Sequence, residues 1–343
     1  MRRVTPLACA LALAATVPGC TGSDDSSTPA PSPTTGAPAQ AAATLPVAPG
    51  SVVAPASWKL ASIEIENPDG LAGLDGAVFV KTDDGRVVRL DASTGKVTAQ
   101  RKIDTATDIA HYCQGIGSDG ETLWACSASD TTTDIVRLDP ATLKETGRAK
   151  VDKVFDQLSL GVGGGRVWVL TGDGSQLTSV DTRNLEQTTV PLARRCFQTA
   201  VTSAVVYATC LLDDEVIAVD TASGEVTDSV SVTQPTNISV TDDEVWVSGS
   251  AGLLRLDTEL EPQAAYPGLS TGSEGDVVAT PSGVWVRHPD EFLLRIDPIS
   301  GEVAARYAIA PVPSGGSLLV TDDAVWTSAA NDATVFKVDR DAS

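Results

Sequence analysis

Few side chains in this 343-residue sequence are suited to chemistry. Two histidines stand out, His111 in "DIAHYC" and His288 in "RHPDE", with an adjacent pair of arginines, Arg194 and Arg195. A histidine beside a carboxylate can act as general acid or base, so His111 with Asp156 or Glu274 is the pairing an enzyme would use, with or without a divalent metal. Arginine forks suit carboxylates and phosphates. Together with nearby aromatics and amides they define a candidate ligand-binding set: Arg194, Arg195, His111, Tyr112, Phe155, Gln157, Asn237 and Glu274. Such a set fits a small polar ligand or the end of a peptide. The ordinary role of each is that of a solvated loop residue.

Signals for catalysis are poorer. No G-x-G-x-x-G opens a helix, and no G-x-S-x-G supplies a nucleophile elbow. No catalytic residue, metal ligand or cofactor is assigned. A binding or interaction module is favoured over the alternative class, an exported lyase or hydrolase with a funnel-shaped active site.

Six cysteines need separate accounts. The N-terminus, "MRRVTPLACALALAATVPGC", has two arginines, then an apolar run too short to span a bilayer comfortably. It resembles a bacterial lipoprotein signal, which implies cleavage after Gly19 and lipidation of Cys20. Residues 1–19 are therefore expected to be a signal peptide. Residues 20–51, rich in Pro, Thr, Ser and Ala, cannot bury enough apolar surface to fold and would form an extended tether. Tethers of this kind are typical of exported actinobacterial lipoproteins. The expected location is the outer face of the cytoplasmic membrane, with the membrane contacted only through the lipid.

Net charge is −21, which repels polyanions and argues against nucleic acid as a partner. It also keeps an exported protein soluble. The expected partner is a small polar ligand or an envelope protein bound by a monomer. A scaffold role, with the acidic loops holding a basic protein, is the further alternative.

The elements that must position these residues come from a repeat. "AVFVKTDDGRVVRLDASTGKVTA" returns in seven versions, with aromatics at Phe79, Trp124, Trp168, Tyr207, Trp246, Trp285 and Trp326, spaced 39 to 45 residues apart. Short alternating strands with turns at this period indicate an all-β fold, a seven-bladed β-propeller of four-stranded antiparallel blades over residues 52–343. The last copy lacks its final strand, and an unpaired strand near Trp58 to Glu66 could complete it and close the ring. The aromatics are then packing between blades. In the ending D-x-x-T/S-G, the aspartate folds a turn and the glycine accepts positive φ.

"QPTNISVTDDEVWVSGSAGLLRLD" resembles the bacterial propellers that include YVTN-repeat proteins and the streptogramin-lyase-like group. "DDGRVVRLDASTGKVTA" is also similar to pyrroloquinoline-quinone propeller repeats. The resemblance implies the fold over about residues 60 to 340. The lyases' histidine and metal-bound acid have no counterpart, because His111 and His288 fall in different blades.

The repeat also sorts the other four cysteines. Cys113 and Cys126 flank Asp119-Gly120, a hairpin-turn signal, and Cys196 and Cys210 stand in the same relation two blades later. Both pairs are expected on the first two strands of a blade, opposite one another and disulfide-bonded. Zinc is disfavoured by the absence of C-x-x-C spacing. Loops joining second to third strands share a face with the segments joining blades. There Asp83, Asp84, Asp130, Asp134, Asp173, Asp213, Asp214, Asp290 and Glu291 make an acidic rim. The loop "RHPDE" places His288 on that rim as an exposed residue.

Overall fold

Alternation in "EVWVSG" and its six counterparts puts one set of side chains on each face of a strand. Four such strands cannot bury both faces alone, and they do so by stacking against further copies. The computed structural model describes residues 60–106, 113–155, 160–272, 275–288, 292–307 and 315–339. These residues belong to one compact unit, 40–343. They form seven antiparallel sheets of four strands, a seven-bladed β-propeller. Blade five is representative, running outward from the axis through Asn237–Val240, Glu244–Gly249, Gly252–Asp257 and Pro262–Pro267.

Blade seven is made from both ends of the described chain. Leu60–Glu64 pairs with Thr334–Asp339, from Leu60 opposite Val338 to Glu64 opposite Thr334. The amide of Ile65 extends the ladder to the Ala333 carbonyl at 2.9 Å. The N-terminal strand therefore completes the last blade, as the repeat predicts.

Seven apolar clusters fill the seven joints between successive blades. The repeated aromatics are their largest members, and none is more than 2% exposed. A second device recurs at these joints. The residue two before the third-strand aspartate is a cation in five blades. Arg137, Arg255, Arg295 and Lys337 each lie about 6 Å from the ring centre of their own blade's tryptophan. Arg89, Arg137, Arg255 and Lys337 donate to carbonyls in the turn of the following blade, at Pro140, Thr182, Pro298 and Ser93. The last of these spans the seam between blades seven and one. Blade four has Ala218 at that position, and there the Tyr207 hydroxyl donates to the Thr258 carbonyl at 2.8 Å. A phenol replaces a guanidinium at the same joint.

The turn aspartates act as the sequence suggests. Asp297 accepts the amides of Ile299 and Ser300 at 2.9 and 2.7 Å. Gly95, Gly224 and Gly301 take φ near +70°. In three blades leucine replaces that glycine: Leu143, Leu185 and Leu260 hold φ of 57°, 65° and 63°. Leu143 and Leu260 are buried in the apolar joint with the preceding blade. Burial of a leucine is worth about 2 kcal/mol, enough to offset a left-handed backbone costing about 1.

Two expectations need correction. The disulfides are Cys113–Cys126 and Cys196–Cys210 as paired, but Cys113 and Cys196 precede the inner strands Ile116–Ser118 and Gln198–Val201. The amide of Cys126 bonds Gly115 and that of Phe197 bonds Thr209, so each bridge runs diagonally. They tie blade-joining segments to second strands. The strand Gly283–His288 also runs two residues further than the loop "RHPDE" suggests. Arg287 is buried at 2% exposure, and His288 is half-buried rather than exposed. The Arg287 guanidinium, committed to blade seven, holds the strand in register to its end.

Candidate functional site

Among the described residues, one face of the ring carries most of the buried polar side chains. Strand register places them in two tiers. On the inner strands Gln198 faces Thr209, Asn237 faces Ser248 and Asp276 faces Arg287. Gly115 and Ser317 reach the same level, accepting the amides of Cys126 and Ser328. Between these inner strands is a cavity of about 130 Å³. Gly70, Gln114, Gly115, Gln198, Asp276 and Ser317 line it, from blades one, two, four, six and seven. A space bounded by five of seven blades lies on the propeller axis.

Among the described residues, Asp276 is the only ionisable one in that lining. Its two oxygens accept the amides of Val277 at 2.8 Å and Leu318 at 2.7 Å. Burial pushes its carboxyl up to about 6, against the opposing pull of those bonds and of Arg287. Arg287 itself turns to blade seven, donating to Thr327 Oγ1 at 3.1 Å and to the Ser328 carbonyl. A second buried cation, Lys81, meets Asp104 at 3.0 Å across the joint of blades one and two. Burial lowers the Lys81 ammonium and raises the Asp104 carboxyl. Both cations sit two residues after their blade's aromatic. Sequence reading left them in the loop strings "KTDDGR" and "RHPDE", although a cation at a strand position that is otherwise Cys, Leu, Thr or Ser was visible.

The sequence-derived candidates fall at different places on this face. Arg194 donates to both oxygens of Glu215, from Nη2 at 3.0 Å. Burial works to raise the Glu215 carboxyl, but the arginine holds it below its ordinary value. Exposed Arg195 bonds Asp173 through Nε at 2.8 Å, and its amide donates to Asp213. The Ser175 hydroxyl and Arg195 hold Asp173 down at about 2. An anion binding either arginine would have to displace a carboxylate of this chain. Phe155 packs on Phe197 with ring centres 5.2 Å apart. Asn237 donates to Thr271 Oγ1 at 2.7 Å and to the Gly272 carbonyl, fastening the joint of blades five and six. His111, Tyr112, Asp156, Gln157, Glu274, Asp290, Glu291 and Cys20 lie outside the described residues.

The acidic rim is largely engaged within the chain. Asp84 pairs with Arg86, Asp134 with Arg148 and Asp173 with Arg195. Asp83 accepts Gln114 Nε2, and Asp214 accepts the amide of Gln234. Among the described residues no cluster of three His, Cys, Asp or Glu is placed to hold a metal.

The fold defines the class of protein: a disulfide-bonded, seven-bladed β-propeller. The chain is similar to the solved structure of BamB from Moraxella catarrhalis, at 13% identity and a TM-score of 0.54, over 79% of this chain and 84% of that one. It is also similar to the Pan2 WD40 domain of Neurospora crassa, at 9% identity and a TM-score of 0.66, over 84% and 97%. At these identities the likeness is one of fold. No family model matches the sequence, and no curated protein matches it.

Proposed function

We propose that the chain is an exported, lipid-tethered propeller that works as a protein-interaction module. Its recognition surface is the face where second strands meet third strands. The observation that carries this reading is that the covalent and acid–base reinforcement gathers on the longer blade-joining segments of this face, while the opposite face is held through its short turns by the third-strand clamps. Both disulfides, the Lys81–Asp104 pair and the Arg194–Glu215 pair pin blade-joining segments on this one face. The opposite face is built from short turns closed by Asp91, Asp220, Asp297 and their counterparts. Fixing loops in advance removes the ordering cost of binding from the face that makes contact. A lipid on Cys20 and a tether through residue 51 would hold this face near envelope proteins, and disulfides suit an exported protein.

Site-specific photo-cross-linking in the producing cell tests the reading. A cross-linker at Phe197 or Asp213 is expected to capture a discrete envelope protein, and one at Ser223 or Glu225 is not. Capture from the turn face alone, or equally from both, would overturn the assignment of the recognition surface.

A further inference from the structure

The axial cavity has a composition that the blade joints do not share. Among the described residues its walls are two glycines, two glutamines, a serine and the apolar side chains of Leu71, Ile116 and Leu318, with one carboxyl group, Asp276. Gly70 and Gly115 sit where an added Cβ would fall 2.1 Å from the Gln114 carbonyl oxygen and 2.6 Å from Leu160 Cβ. The inner strands therefore close tightly around the space on that side and leave it to be lined by the longer polar residues opposite. The cavity has room for about four waters, at about 30 Å³ each. That is also room for a chain of about five heavy atoms.

Asp276 is prepared as a counter-ion. Its backbone donors fix the carboxylate in place but bring no formal charge, and each oxygen keeps a second acceptor position. The nearby cation, Arg287, favours the charged form of Asp276 through space and donates to Thr327 and Ser328 of blade seven. A carboxylate in such a setting is stabilised by a charge that enters the cavity. A divalent metal would call for several carboxylates and a tight oxygen cage, whereas the described lining supplies one carboxylate and neutral oxygens in a space longer than an ion. An ammonium carries three donors and a single positive charge, which matches one carboxylate with amide and hydroxyl oxygens beside it.

We propose that the axial cavity binds a primary alkylammonium group, with Asp276 as its counter-ion and Gln198 and Ser317 as neutral acceptors. On the interaction-module reading above, on which only the identity of the amine's owner rests, the group is a lysine side chain of the partner. The amine enters along the axis, its alkyl stem passing between Ile116 and Leu318, which also line the cavity.

The test is calorimetric titration of the purified, disulfide-intact protein, without any partner. The probes are n-butylammonium, Nα-acetyl-lysine-N-methylamide, free lysine, n-butanol and calcium. Saturable one-to-one binding of n-butylammonium is expected, with n-butanol at least tenfold weaker. Tighter binding of the blocked lysine than of free lysine would assign the site to a protein side chain, and the reverse order to a free amine. Moving from pH 7.5 to pH 5 should weaken butylammonium about tenfold as the carboxylate takes up its proton. Asp276→Asn should weaken it tenfold or more. Should that variant fail to fold, Gln198→Met, which keeps the charge and nearly the same volume but removes a neutral acceptor, should weaken n-butylammonium binding severalfold in its place, and unchanged affinity in that variant would overturn the proposal. Absence of saturable amine binding, amine affinity unchanged in a folded Asp276→Asn, or calcium binding in preference to amine would each overturn the proposal. The cross-linking result stands apart from any of these, so failure of the cavity and failure of the recognition face can be told apart.

Discussion

Asp276 and Asp297 belong to the same blade and titrate in opposite directions. Asp297, half-buried at a surface turn, takes amide hydrogens from Ser300 and Ile299, which stabilise its charged form and lower its pKa. Asp276 is pushed up to about 6 because burial outweighs its two amide bonds. The stability consequences have opposite signs. Asp297 contributes stability above the ordinary carboxyl range and loses it as pH falls. Asp276 binds its proton more tightly folded than unfolded, so its contribution declines as pH rises from about 4 to about 6. Urea denaturation at pH 4.5 and pH 7.5 should show Asp276→Asn gaining on the wild type at the higher pH. Asp297→Ala should fall behind it by more at pH 7.5 than at pH 3. Equal differences at both values would refute the assignments. The turn role of Asp297 was legible from "D-P-I-S-G", because an Asx turn is local. The burial of Asp276 was not, because it depends on strands from five blades.

At the scale of strands and turns, four of the seven joints combine an apolar cluster with a directional bond from a third-strand cation. The chain's own variation supplies the control, since blade four replaces that cation with alanine and recruits a tyrosine hydroxyl. Tyr207→Phe leaves the Thr258 carbonyl without this donor and should lower stability by about 1 kcal/mol. Arg255→Ala should cost somewhat more, because it removes both the Pro298 bond and the contact with Trp246. Chemical denaturation of the two variants measures the difference, and a neutral Tyr207→Phe would show that the bond is merely tolerated. The aromatics were legible as packing from their period alone. The clamps were not, since "VRLD" reads as an exposed cation until the neighbouring blade supplies a carbonyl.

For the whole molecule, closure is the decisive feature. The ring is joined by a strand from the N-terminal end, by the Lys337 bond to Ser93 and by the joint containing Ile65, Val78 and Trp326. Deleting residues up to Asn67 should expose the edge of Thr334–Asp339 and open a path to intermolecular pairing. The truncated chain is expected to aggregate on heating at a temperature well below that of the full protein, as followed by light scattering. A truncation that stays monomeric with an unchanged Tm would show that closure by this strand is dispensable.

The sequence by itself determined the blade number, the order of strands, the closing strand, the turn chemistry and which cysteines pair. All of these depend on a period, on local bonds or on short separations along the chain. Only the tertiary structure decided which charges are buried, which arginines are already matched by acids and where polar groups meet on the axis. Those properties arise where residues from different copies of the repeat come together. A one-dimensional pattern records what each copy holds in common, and the axial cavity is made from the positions at which the copies differ.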